Sequence, residues 1–418
     1  MLIPRTDGME IKDFTVAATP PLIKMMIVPG IEPAYLPDDA KESLFWSNWN
    51  PPARTKDGRY IYAIGDCRSV GGKIYLYEYN PIEEKVKKIL SLPKLYGWTD
   101  SSQADGKLHG KMKIMDDGNL WTCSKHEVAP GEPWRYKDNK GSRFFSLNVN
   151  TYEAKDWGVL FPYHTFTETV LDTKRGVLFA SGVFPGVLCY DVRKHATIYT
   201  DSLPNGWRWY SRTVLLDDRG IFWGTDAADS LHRFLSFDPV KKKFARPELS
   251  PSENTYYKKI ENIRACTDRR ACDGAYWCIT DNGAMFRFRP EVPSVEPAGV
   301  NWDRGRYTST IAMDPSGRYL YYMPGDMRMY NADTYGPIVQ YDVKTGKKKV
   351  LAWLVDYYYE KYGYWVGGTY GMEISADGSF LVIVMNGAFR FRDDAHDNPY
   401  EFPSLFVVEI PESERMVR

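Results

Sequence analysis

One short unit, repeated seven times, constrains this chain more than any other feature of it. A turn signal runs into an alternating aromatic and aliphatic stretch as KDGRYIYAIGD from Lys56, DDGNLWTCSKH from Asp116, DTKRGVLFASG from Asp172 and DDRGIFWGTD from Asp217. It recurs as CDGAYWCITDNG from Cys272, DPSGRYLYYMPGD from Asp314 and ADGSFLVIVMNG from Ala376. The turn glycines Gly58, Gly118, Gly176, Gly220, Gly274, Gly317 and Gly378 are spaced 43 to 61 residues apart. Period-2 alternation on both sides of a glycine turn is the pattern of a hairpin. A third apolar run follows each hairpin, from KIYLYEYNP at Lys73 to SLFVVEIPE at Ser404. A fourth, more polar run such as KVKKILSLP after Glu84 completes the unit. Four antiparallel strands of graded polarity per repeat predict an all-β, seven-bladed β-propeller.

The chain ends test that reading. The seventh unit has three strands, whereas IKDFTVAATPPLIKMMIVP near the N-terminus is strand-like and precedes the first hairpin. It is expected to supply the missing outer strand, closing the ring and leaving no blade edge as a template for pairing; a disordered arm is the alternative. No low-complexity linker divides the chain, so residues 1–418 are expected to form a single domain. The 54 Lys+Arg balance 54 Asp+Glu, which removes the cationic field needed to coat nucleic acid. No stretch approaches the roughly 20 apolar residues of a bilayer span, and the start lacks the charge and apolar core of a leader. A soluble monomer is expected, cytoplasmic as given or exported and trimmed. The six cysteines sit mostly in strand-like runs and are expected to be reduced and structural. Cys266 and Cys272 flank a turn and could pair.

In a propeller the segments leading into the inner strands share one face with the loops leaving the second strands. The lead-in segments carry His109, His164 with Glu168, Arg208, Tyr210 and Arg212, Glu261, Asn262 and Arg264, Arg306 and Tyr307, and Tyr370. The exit loops add Asp66, Arg68, His126, Asp226, Asp281, Asn282, Asp326 and Asn386. His109 and His126 bracket one hairpin and should end on the same face, although either could be a structural histidine. His195, His232 and His396 fall in outer or connecting segments and are assigned no role. Arg212 and Arg264 are read as matching positions in consecutive blades, suited to gripping a carboxylate or sulfate. Pairing with Glu261, Asp226 or Glu168 is the structural alternative. Cys123 and His126 have metal-like spacing but no second pair, so no zinc site is expected. No nucleophile elbow, P-loop, HExxH or dinucleotide fingerprint is present.

The stretch LHGKMKIMDDGNLWTCSKH, with one histidine entering a blade and another closing its hairpin, resembles the paired-histidine blade of seven-bladed propeller polysaccharide lyases. These are the ulvan lyases and, more distantly, the oligogalacturonate lyases and streptogramin-lyase-like propellers. The resemblance implies β-elimination on a uronate-containing glycan, an anionic oligo- or polysaccharide. Carried over, His109 and His126 match the paired histidines. By blade position Arg212 is the carboxylate neutraliser and Tyr210 the base or acid, with His164 a third candidate. Arg264, Asn262, Tyr307 and Tyr370 are assigned to substrate binding. The histidine cluster of the oligogalacturonate lyase metal site has no counterpart in the last blades. Two alternatives stay open. One is a metal-dependent lactonase-like hydrolase with a channel calcium held by Glu261, Asn262, Asn386 and an aspartate; the other is a non-catalytic binding scaffold.

Overall fold

A computed structural model describes residues 14–28, 46–66, 73–98, 105–125, 140–182, 186–325, 336–389 and 400–415. The fold is a seven-bladed β-propeller. Blade 2 is typical: Lys113–Ile114, Asn119–Cys123, Arg143–Asn148 and Ala154–Val159 pair antiparallel in chain order. The inner strands of the other blades are Phe166–Asp172 in blade 3, Leu215–Leu216 in blade 4, Ile263–Cys266 in blade 5, Ala312–Met313 in blade 6 and Tyr364–Ile374 in blade 7. In blade 1 the inner strand is split into Trp46–Ser47 and Ala53–Arg54, both paired with Tyr60–Asp66. All seven repeat glycines adopt positive φ, between 71° and 88°, a backbone region where any other L-residue is strained. In blade 4 the turn is locked locally, with Asp217 Oδ1 accepting from the amides of Arg219 and Ile221 at 2.9 and 3.0 Å.

The N-terminal strand takes the expected place. Leu22–Ile27 runs antiparallel to Ser404–Glu409, with Leu22 opposite Glu409 and Ile27 opposite Ser404. It is the outermost strand of blade 7. The structure adds a second strand that the repeat pattern did not predict: Phe14–Val16 pairs in parallel with Lys348–Trp353, giving blade 6 a fifth strand. The link between these two strands is tied to the far end of the chain. Buried Glu414 accepts the amides of Ala18 and Thr19 at 2.8 and 3.2 Å and the Lys349 ammonium at 2.5 Å.

The chain separates into two compact units. One holds Val28–Asp229 and Leu235–Arg246, hence blades 1 to 3 and most of blade 4; the other holds the N-terminal strands, Ser230–Phe234 and the chain from Pro247 onward. Within each, aromatic side chains fill the space between neighbouring blades. Phe179 stacks on Phe222 at 4.9 Å in the first, and Trp277 lies 5.1 Å from Tyr341 in the second. Full burial of such a ring is worth about 1.5–3 kcal/mol, so this packing accounts for the abundance of aromatics. Cys123, Cys189, Cys266, Cys272 and Cys278 are free thiols; Cys266 faces Cys278 across the ladder, not Cys272. Among the described residues no helix is long and apolar enough to cross a membrane.

Candidate functional site

The inner strand of blade 2 is only two residues long, so the segment before it is held by other means. Lys107 and Lys125 form an isolated antiparallel bridge, which lays the segment carrying His109 alongside the exit of the second strand. His126 follows directly in sequence and lies outside the described residues. His109 is 8% exposed and packs on Trp49 with ring centres 5.1 Å apart, while the Lys107 ammonium sits 4.0 Å above the same indole. Two residues on, the Lys111 amide donates to buried Glu168 at 2.9 Å, and the Thr169 amide donates to the same oxygen at 3.0 Å. Gly110 is what permits this junction. A Cβ there would lie 1.9 Å from Thr169 Oγ1, so blade 2 touches blade 3 through bare backbone. Cys123 ends the second strand fully buried. Burial, reinforced by Asp105, pushes its thiol well up.

The other expected residues of this unit take different settings. His164 stacks on Phe161 at 3.7 Å, its Nδ1 lies 2.9 Å from the Pro162 carbonyl, and its ring occupies the space a side chain at Gly186 would need. Tyr210 is half-buried, and its amide donates to the Thr225 carbonyl at 2.8 Å. Arg212 is exposed in a turn three residues ahead of the blade 4 inner strand. Asp226 belongs to Arg246, at 3.0 Å, and to the Arg208 amide, at 2.9 Å.

In the second unit Arg264 lies within the inner strand of blade 5, at a register shift between Ile263 and Ala265. A bulge of this kind re-aims a side chain out of the strand's alternation. The buried guanidinium donates through Nε to the Tyr307 hydroxyl, and its Nη1 reaches the Ser309 carbonyl at 3.3 Å. Arg264 and Arg212 therefore sit in different local settings. One is buried inside a strand and the other is exposed ahead of one, because the blade 4 inner strand is too short to include its lead-in segment. Asn262 is buried immediately before the same strand, and its carbonyl accepts the Asp281 amide at 2.9 Å. In blade 7 a register shift falls between Thr369 and Gly371, at Tyr370, whose side chain lies outside the described residues. Buried Asn386 is paired with Gly368. Glu261, a calcium ligand only in the alternative hydrolase reading, is engaged by Lys259 and by His232, the latter at 3.7 Å. Among the described residues no group of three or more His, Cys, Asp or Glu side chains could hold a metal.

Two histidines left without a role have definite surroundings. His232 meets Glu261. His195 is exposed and stacks on Trp157 at 4.3 Å, above a groove of about 600 Å³. Periodicity could not flag it, because its significance comes from two tryptophans of the preceding blade.

No protein-family model and no curated protein matches this chain. Solved structures do. A chain in the crystal structure of the mitotic checkpoint complex superposes with a TM-score of 0.56 at 11% identity, covering 99% of this chain and 97% of that one. The structure of U3-55K gives 0.54 at 10% identity, covering 92% and 98%. At such identities the likeness establishes the propeller fold and nothing finer.

Proposed function

We propose that this propeller is a polysaccharide lyase that cleaves a uronate-containing glycan by β-elimination at the lead-in end of blade 2. The observation that supports it is the Lys107–Lys125 bridge, which aligns the two arms of the hairpin bearing His109 and His126. In the proposed reaction a cationic group, Arg212 or a histidine, neutralises the sugar carboxylate and acidifies the C5 proton. Tyr210 or a histidine takes that proton. The C5–H electron pair becomes the C4=C5 double bond, the C4–O bond breaks, and the departing glycosidic oxygen is protonated by the paired acid. No water or oxidant is consumed. His164 remains a proposed residue of this site, and Arg264, Asn262, Tyr307 and Tyr370 of the other unit remain proposed substrate-binding residues on the strength of their lead-in positions alone. The same reading takes residues 1–418 as one domain, which a single cooperative unfolding transition would support.

A second reading, a non-catalytic platform for an acidic protein segment, is favoured by the Arg264–Tyr307 corner and by the complex in which one structural neighbour was solved. Incubation with ulvan, pectate, alginate and glycosaminoglycan fragments separates the two. Unsaturated uronate that disappears in His109→Ala supports elimination. Absence of product with every polyuronate, together with binding of an acidic peptide that is lost in Arg264→Gln, supports the platform.

A further inference from the structure

The turn ends of blades 2 and 3, at the opposite ends of the strands from His109, form a groove of about 600 Å³, within the size range of small-molecule sites. Its aromatic wall is a stack. Trp121 lies 4.8 Å from Trp157 at 23°, Trp157 lies 4.3 Å from His195 at 23°, and the Lys155 ammonium sits 3.7 Å over Trp157. The wall is fixed in place, because the Trp157 indole N–H donates to Ser146 Oγ at 2.9 Å. Around it stand polar groups of every kind: the Asp117 and Glu153 carboxylates, the Asn119 and Asn148 amides and the Arg193 guanidinium. Asn148 is itself oriented, its Nδ2 donating to the Asp117 carbonyl and its Oδ1 accepting from Asn150 and Thr151.

We infer that this groove binds a neutral oligosaccharide. A sugar presents an apolar ring face to an aromatic wall and a rim of hydroxyls that both donate and accept. Carboxylates, amides and cations of mixed sign match that rim, and no single-sign field is present to select a charged ligand. The exposed His195 ring, whose two nitrogens have no hydrogen-bond partner among the described residues, forms the outer lip. Openness here is not a generic property of the fold. The corresponding turn residue one blade earlier, Tyr152, has the same left-handed backbone, with φ 60° against 54° for His195. Its hydroxyl meets Glu78, Arg59 and Lys87 and fills that junction. The inference does not depend on elimination chemistry, since it concerns different residues at the other end of the blades.

The test is titration of the full chain with cello-, xylo-, manno-, malto- and laminari-oligosaccharides, read by tryptophan fluorescence and calorimetry, with a proline-rich peptide as the competing ligand class. At least one sugar series should bind, and His195→Ala and Lys155→Ala should each weaken it by roughly tenfold or more, a loss of about 1.4 kcal/mol. Unchanged thermal unfolding of both variants would show that the loss is local. Binding of none of the sugars, sugar binding that survives both substitutions, or binding of the peptide alone would each overturn the inference. Activity toward polyuronates has no bearing on these outcomes.

Discussion

Two neighbouring junctions of the first unit share one backbone plan and reach opposite results. Strand register makes the correspondence explicit: Glu78 is opposite Lys87 in blade 1, and Ser146 is opposite Lys155 in blade 2. At the first junction the buried Glu78 carboxylate draws in Arg59, Lys87 at 3.0 Å and the Tyr152 hydroxyl at 2.9 Å, and the space is filled. At the second, the residue in Glu78's place is a serine that accepts only the Trp157 indole, Lys155 swings onto the ring, and the groove stays open. The carboxylate of Glu78 against the hydroxyl of Ser146, and Tyr152 against His195, separate the filled junction from the open one. Buried polar groups that are fully partnered rigidify, whereas side chains left at a lip remain available for a ligand.

Breaking the closed junction should have the largest effect. Glu78→Ala removes the acceptor shared by two cations and a phenol, and should cost about 1.5–3 kcal/mol in denaturant unfolding, because partly buried Arg59 keeps Asp57 but loses its buried partner, and Lys87 and Tyr152 lose theirs. Tyr152→Phe keeps the ring and loses the hydroxyl bonds, so about 1 kcal/mol is expected by the same measurement. Alkaline titration should then distinguish the junctions. Hydrogen bonds from Lys87 to Tyr152 and to Glu78, outweighing burial, hold its ammonium above the usual lysine value. A raised cation contributes stability that is complete below the unfolded-state value and is lost as pH rises through the folded one. Wild type should therefore lose part of its advantage over Lys87→Met above roughly pH 10, by less than about 1 kcal/mol since Lys87 is half exposed. At the open junction His195→Ala should change stability by no more than about 0.5 kcal/mol. Ser146→Glu sharpens the comparison: the new carboxylate should recruit Lys155, close the groove and abolish oligosaccharide binding while the fold persists.

The fold was legible because its determinants are local and repeated. Each repeat glycine marks a hairpin through its positive φ, and period-2 runs mark the strands beside it. The outer strand Leu22–Ile27 could be inferred by counting strands in the last unit. The parallel strand Phe14–Val16 could not, because three residues carry no period and its pairing is set by Lys348–Trp353, more than 300 residues away. The site was less legible for the same physical reason. Blade position alone does not reveal that a bulge buries Arg264 within its strand while a two-residue inner strand leaves Arg212 exposed ahead of it. Cys266 could be assigned to Cys278 only from the ladder. The Trp121–Trp157–His195 stack joins two strands and a turn from two blades, and no linear spacing encodes it.

The central claim, elimination at the paired-histidine blade, is tested most directly by following unsaturated uronate formation from ulvan, pectate, alginate and glycosaminoglycan fragments with wild type and His109→Ala. The account predicts product from at least one polyuronate and its loss, by roughly a hundredfold or more, in the variant, the scale of a general acid–base contribution. Absence of product from all of them, or equal rates in the two proteins, would contradict it.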